Sequence, residues 1–387
     1  MPSPERTPGW LERRFPVTGF LRREYVAFPM PRNLNALWSF GAFLIVTMAF
    51  MIASGLFLAI NYTPDITQAF ASVEAIDRQI PSGWFLRSLH MGGVTMLFAC
   101  LYIHIGRGLW YGSYKAPREL LWLTGLGLML MLMVTAFAGY ILPWGQMSYW
   151  GATVVLNAMR TIPLIGRPLS ELLLGGETLG NIALHRLFVL HFTMAFAILG
   201  AIALHVAALH VVKSNNPSGV EPVSPSQTLP FHPYYTSRDG FALCLFLMVY
   251  AGLVFFLPDL LTLADNYVQA NPLVTPRDIR PEWYFAPFYA ILRAVPSRLG
   301  GLVLAVGSLA VLFTLPWLDR SPTRTATRRP AVRLSLPLAF AAFILLGIAG
   351  MHPPTETWLI VSRLAMGWWF IHFLLVMPLA SEREMTS

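Results

Sequence analysis

The sequence predicts an all-α polytopic membrane protein with eight transmembrane helices, the first four forming a bundle around two levels of paired histidines. Three observations carry this. Of the 387 residues, 56% are apolar and 12% charged, about half the charged fraction of a soluble domain. The mean hydropathy is +0.57, and apolar runs of about 20 residues, the length that crosses a bilayer, recur along the chain. Two of these runs each carry two histidines 14 positions apart: His90 with His104, and His191 with His205.

The elements follow in order. Residues 1–36 hold Arg6, Arg13, Arg14, Arg22, Arg23 and Arg32 without an apolar core, so they do not read as a signal peptide. Within them, Trp10–Phe28 mixes arginines with Phe15, Leu21 and Tyr25 and predicts an interfacial helix on the cytoplasmic surface. Spans are expected at 37–60, 84–110, 120–142, 185–211, 240–258, 299–317, 334–350 and 357–379. An N-terminus inside then places both termini in the cytoplasm. Arg107, Lys115, Arg118, Lys213, Arg238, Arg383 and the run from Arg320 to Arg333 fall inside; Arg78, Arg160, Arg167, Arg277, Arg280 and Arg298 fall outside. The inside excess obeys the positive-inside rule, which absorbs the net charge of +8 without a nucleic-acid partner. Two outer loops, 143–184 and 259–298, are long enough to suggest function. An inner loop at 213–239, rich in Pro, Ser and Asn, separates a bundle over 37–212 from a C-terminal four-helix part over 240–387.

On an α-helix, 14 positions return within about 40° of the same face, about 21 Å further along the axis. Spans two and four are parallel in this topology. His90 then meets His191 near the outside, and His104 meets His205 near the inside. Each pair would clamp one haem, giving two stacked, non-covalent b-type haems whose iron has no open position, suited to passing electrons. Spans one and three carry glycines at the same interval, Gly41 with Gly55 and Gly125 with Gly139. Gly41 and Gly125 share the depth of His104 and His205; Gly55 and Gly139 share that of His90 and His191. Glycine there lets a flat macrocycle approach the backbone. Arg87 and Arg107, three residues from a histidine and at the membrane edge, are placed to pair with haem propionates. Cys100 and Cys244 lie far apart inside apolar runs and read as core residues, with no spacing for zinc, a disulfide, an iron–sulfur cluster or covalent haem.

Further stretches carry a family resemblance. Gly55-Leu56-Phe57-Leu58-Ala59, His104-Ile105-Gly106-Arg107-Gly108-Leu109 and Gly139-Tyr140-Ile141-Leu142-Pro143-Trp144-Gly145-Gln146-Met147 lie in the first part. Ser214-Asn215-Asn216-Pro217, His232-Pro233-Tyr234-Tyr235 and Pro281-Glu282-Trp283-Tyr284 follow. In this order and spacing the chain resembles the cytochrome b family of ubiquinol–cytochrome c reductases, the bc complexes of bacteria and mitochondria. Equal spacing of both histidine pairs and a single eight-span chain favour the respiratory type over the split photosynthetic relatives.

The resemblance implies two quinone sites and a low-potential outer and high-potential inner haem. At the outer site Glu282 would accept a proton from quinol, with Phe137, Tyr140, Trp150, Gly151, Pro281, Trp283, Tyr284 and Tyr289 around the pocket. At the inner site His210, Arg238 and Asp239 would bind quinone; arginine does not readily release a proton, so Arg238 is not assigned as a donor. Lys213 replaces a small residue common in the family, and Ala42 stands where many relatives have serine. The implied activity is quinol oxidation with electron bifurcation to a Rieske iron–sulfur protein and to the haems, quinone reduction inside, and proton translocation. The implied partners are the Rieske protein, a c-type cytochrome, ubiquinone and ubiquinol, phospholipid and a second copy of the complex, in a bacterial inner membrane. His185, His232, His352 and His372 receive no role. Two other readings compete: a haem b anchor for another quinone-linked dehydrogenase, which would lack the Pro-Glu-Trp-Tyr loop, and a haem-free proton-coupled transporter, which would need interrupted helices or inverted repeats.

Overall fold

The computed structural model describes residues 9–260 and 262–386; Arg6 of the basic N-terminal stretch, Leu261 of the second long loop and the terminal Ser387 lie outside them. Among the described residues, eight helices are long and apolar enough to cross a membrane, beginning with Ala36–Asn61 and ending with Glu356–Thr386. The expected interfacial helix is broken into α1 (Trp10–Arg14), α2 (Val17–Leu21) and a π-helical turn at Arg22–Val26. Pro16 accounts for the first break, since proline has no N–H to continue a helix. A short strand β1 (Pro29–Pro31) follows and pairs antiparallel with β2 (Thr228–Pro230).

The first four spans contain α3 (Phe40–Asn61), α5 (Gly83–Trp110), α6 (Glu119–Ile141) and α9 (Asn181–Val212). Their apolar residues run all round the helix, as lipid or a packed core on every side demands. α3 packs along α5, and α6 along α9. Both long loops, and the shorter turn after the first span, carry helices too short to span: α4 (Ala69–Gln79), α7 (Gln146–Met159), α8 (Gly166–Leu174) and α11 (Ala286–Ala294). They are amphipathic, and α11 buries Ala286, Ala290 and Ala294 along one side. α10 (Thr236–Phe256), α12 (Arg298–Leu318), α13 (Pro330–Gly350) and α14 (Glu356–Ile371) supply the remaining spans, and α14 continues through a π-helical turn at His372–Val376 into α15 (Met377–Thr386).

The later spans are not hung apart from the bundle. Phe98 and Leu101 of α5 and Trp122, Leu126 and Met129 of α6 share one buried cluster with Leu312, Leu315, Leu336, Trp369 and Phe373. The Trp122 indole donates to the Leu312 carbonyl at 2.8 Å. The same junction is tied by charge. Arg329 donates to both oxygens of Asp319, at 2.7 and 2.9 Å, and to Glu384 at 2.7 Å; Lys115 sits 3.0 Å from Asp319. The Tyr114 hydroxyl donates to the same carboxylate at 2.5 Å. Burial alone would raise the Asp319 pKa, but Lys115, Arg329 and Tyr114 outweigh it and hold the carboxyl below its ordinary value.

Asp319 is fully enclosed and Arg329 nearly so. Asp319→Asn therefore leaves the buried Arg329 guanidinium with Glu384 alone and Lys115 without its counter-charge. The expected loss is about 3–5 kcal/mol of stability, read as a lower denaturation midpoint of the purified protein in detergent.

Candidate functional site

The four histidines lie on two helices at two levels. At one end of the bundle the His90 and His191 rings face each other with centroids 6.1 Å apart and planes at 70°. Two metal–nitrogen bonds of about 2 Å and the half-widths of two imidazoles together come to about 6 Å, so this gap fits one iron between two ring nitrogens. At the other end, His104 and His205 occupy the equivalent positions one interval along α5 and α9. The midpoint residues of the 14-residue intervals, Met48, Leu97, Leu132 and Ile198, meet in one apolar cluster between the levels.

Each glycine lies against the imidazole of its own level. A Cβ on Gly55 would stand 3.0 Å from His90 Cε1, one on Gly125 3.0 Å from His205 Cε1, and one on Gly41 3.5 Å from His104 Cε1. At Gly139 it would collide with the His191 ring. The glycines thus make room for the imidazoles themselves, as well as thinning the helix beside any planar group the imidazoles hold.

The hydrogen bonds select the tautomer. The Ser54 hydroxyl donates to the Phe50 carbonyl at 2.7 Å and lies 3.0 Å from His90 Nδ1. Its proton is committed, so it accepts from Nδ1–H. Thr124 repeats the arrangement, donating to Leu120 at 2.9 Å and lying 3.0 Å from His205 Nδ1. His191 Nδ1 donates to the Thr135 carbonyl at 2.8 Å. Three imidazoles are therefore protonated at Nδ1, leaving the Nε2 lone pair for a metal. His104 Nδ1 is buried without a partner. Ser54 and Thr124 were missed by sequence reading, although the signal is plain in hindsight: each hydroxyl immediately precedes a glycine of the repeat, in Ser54-Gly55 and Thr124-Gly125. No hydroxyl precedes Gly41, which faces the unpartnered His104.

The two arginines differ. Arg107 is buried over the Trp38 ring at 4.9 Å, and its Nε has no partner, an orphan donor that suits an anionic group such as a propionate. Arg87 lines the cavity at the His90 end but pairs with Asp77.

That cavity, about 230 Å³, is bordered by His90, His191, Gly139, Tyr140, Glu282 and Tyr284, so the imidazole pair and the Pro-Glu-Trp-Tyr loop share one space. One face of α5 anchors the loop. The Trp283 indole donates to Thr95 Oγ1 at 3.2 Å, the Tyr102 hydroxyl donates to the Tyr284 carbonyl at 2.5 Å, and the Tyr284 ring stacks on Phe98 at 4.3 Å. Glu282, preceded by Pro281, is held inward. Burial raises its pKa to about 7, against a smaller opposing effect of the nearby Tyr140 hydroxyl. That hydroxyl is buried and outside hydrogen-bond geometry. Phe137, Trp150, Gly151, Pro281, Trp283 and Tyr289 do not border the cavity. Phe137 packs beside Ile141 and Leu187, Trp150 donates to the Asn271 carbonyl at 3.3 Å, and Tyr289 donates to Ile279 at 3.1 Å under the Arg293 guanidinium. An added Cβ at Gly151 would meet open space.

At the opposite end, Asp239 accepts from Ser39 at 2.8 Å and lies 3.6 Å from Arg238, which donates to the Leu34 carbonyl at 2.6 Å. Arg238 Nε is buried without a hydrogen-bond partner, and Nη2 is the atom that faces Asp239 beyond hydrogen-bond distance. His210 is bonded through Nδ1 to Glu24 at 3.0 Å, a carboxylate absent from the sequence-based set because it lies 186 residues away.

The chain matches the family described as Cytochrome b/b6/petB over residues 25–213 and Cytochrome b(C-terminal)/b6/petD over residues 269–370. Over 375 residues it is 48% identical to the cytochrome b of Rhodospirillum rubrum, covering 97% of this chain and 93% of that one. The cytochrome b of Rickettsia prowazekii is also 48% identical, covering 97% and 94%. A chain of a solved structure titled "Hyperthermophilic respiratory Complex III" superposes with a TM-score of 0.92 at 32% identity, covering 98% of this chain and 99% of that chain. With both family regions matched and near-complete alignment at this identity, the chain belongs to the cytochrome b family of the bc type.

Proposed function

We propose that this integral membrane protein is the cytochrome b subunit of a proton-translocating quinol–cytochrome c oxidoreductase. It would oxidise quinol at an outer site and reduce quinone at an inner site. The observation that carries this reading is the His90–His191 pair opening into the same cavity as Glu282. When bound, a low-potential outer and a high-potential inner b haem supply a one-electron path between the two sites.

The chain's own residues would act as follows. His90 and His191 hold the outer iron and His104 and His205 the inner one, through Nε2. Ser54, Thr124 and the Thr135 carbonyl fix the tautomer. Arg107 meets a propionate, and Arg87 does so if it exchanges Asp77 for it. Glu282 accepts a proton from quinol held in the cavity, with Tyr140 beside it; a carboxyl titrating near neutral pH can both take up and release that proton. His210, Arg238 and Asp239 receive quinone at the inner end.

One electron of each quinol would pass to a Rieske iron–sulfur partner and the other to the outer haem. Cys100 and Cys244 cannot frame a cluster or a covalent haem in this chain, which supports separate Rieske and c-type cytochrome subunits. Ubiquinone and ubiquinol as substrates, bound phospholipid and a homodimeric complex complete the proposal. The charge pattern supports a bacterial inner membrane with cytoplasmic termini. We divide the chain into a cytoplasmic segment 1–36, a di-haem bundle 37–212, an inner loop 213–239 and a C-terminal part 240–387.

Haem content tests the pairing. The purified complex is expected to show two b-type haems per chain in a reduced-minus-oxidised spectrum. Gly139→Val, which drives a side chain into the His191 ring, is expected to retain one; two haems in that variant would overturn the outer assignment.

Quinol oxidation tests Glu282. The base must be ionised to accept a proton, and below about pH 7 it is protonated; the wild-type rate is expected to rise with pH through this region. Glu282→Gln is expected to slow the reaction about 100-fold and to lose that rise while keeping both haems. Steady-state rates across pH decide it.

A further inference from the structure

We propose that Glu24 is a positioning residue for His210 at the inner quinone site, its carboxylate accepting from Nδ1–H so that the Nε2 lone pair is left to accept from a hydroxyl of the quinone as it is reduced. This rests on the reading of His210 as part of that site. The contact is built, not incidental. Glu24 divides its oxygens: Oε1 accepts from Arg23 Nε at 2.6 Å and Oε2 meets His210 Nδ1 at 3.0 Å. Arg23 is exposed while Glu24 and His210 are about four-fifths covered. The Phe28 and Tyr25 rings lie 4.5 and 5.7 Å from the imidazole and limit its rotation.

The segment carrying these residues is pinned on both sides of the site. β1 pairs with β2, and Phe231 N–H donates to the Phe28 carbonyl at 2.9 Å. Further along, Leu34 accepts from Arg238 and Ser39 donates to Asp239. Among the other charges at this end, Arg23 lies on Glu24, Arg238 donates to Leu34 and lies 3.6 Å from Asp239, and Lys213 caps α9. A carboxylate bound to one ring nitrogen fixes the tautomer and orientation of the other. Since Nδ1 is taken, Nε2 is the nitrogen left for substrate.

The test uses the whole complex, reduced beforehand and mixed with a soluble short-chain quinone, with oxidation of the inner haem followed in the visible spectrum. Glu24→Gln removes the charge and can present an amide N–H as readily as an oxygen to Nδ1, so it no longer fixes the tautomer. Its maximal rate is expected to fall about tenfold or more with the quinone concentration for half-maximal rate little changed, and Glu24→Asp is expected to recover much of the loss. If Glu24→Gln fails to carry haem, Glu24→Ala takes its place with the same expected loss of rate. Equal loss in the Asp and Gln variants would mark a structural role and overturn the proposal. A wild-type rate without the carboxylate would overturn it while leaving the inner site standing, provided His210→Ala is slow. A wild-type rate in His210→Ala would remove the inner-site reading itself.

Discussion

Everything in this protein hangs on a shared interval. Four helices repeat a feature every 14 residues, imidazole on two of them and glycine on the other two, and the neighbours pack in register. Each ring then rests against a bare backbone while its Nδ1 is met, at three of the four positions, by an oxygen from the same glycine-bearing helix. A slip of one turn between α3 and α5 would put a side chain where Gly55 now admits His90 and would separate Ser54 from Nδ1. Space and hydrogen bonding are thus set by one packing register, because both come from adjacent residues of one helix.

α5 carries this register outward. Its face at His90, Leu97 and His104 looks into the bundle. Its face at Thr95, Phe98 and Tyr102 grips Trp283 and Tyr284. A rigid helix with two occupied faces fixes the distance between the imidazole pair and Glu282 more firmly than the long loop could alone. The loop needs that support: Glu282 sits in apolar surroundings that shift its proton affinity, and a mobile carboxylate would return to water and to its ordinary value.

The opposite end is organised by charge. Lys115, Arg118 and Arg329 contribute to the basic bias on which the orientation rests, yet they are largely buried. Arg118 donates to Glu221 and to the carbonyls of Val212 and Lys213, and Arg329 chelates Asp319. They join the loop after α5 to the inner loop and to the later spans. A count of basic residues registers their sign and misses this binding role, since Lys115 meets Asp319 and Arg118 meets Glu221 across more than 100 positions of sequence.

The eight spans, the paired histidines and the matched glycines were legible because helical periodicity and hydropathy act within one segment. So was the Pro-Glu-Trp-Tyr loop as a unit. The sequence by itself determined which residues share a helix face and a depth. Only tertiary structure decided which side chains meet: Ser54 and Thr124 at the imidazoles, Glu24 on His210, the short helices within the long loops, and the withdrawal of Phe137, Trp150, Gly151, Pro281, Trp283 and Tyr289 from the cavity wall. Those contacts depend on distances between segments far apart in the chain, set by packing and by the pairing of buried polar groups, and no periodicity within a segment encodes them.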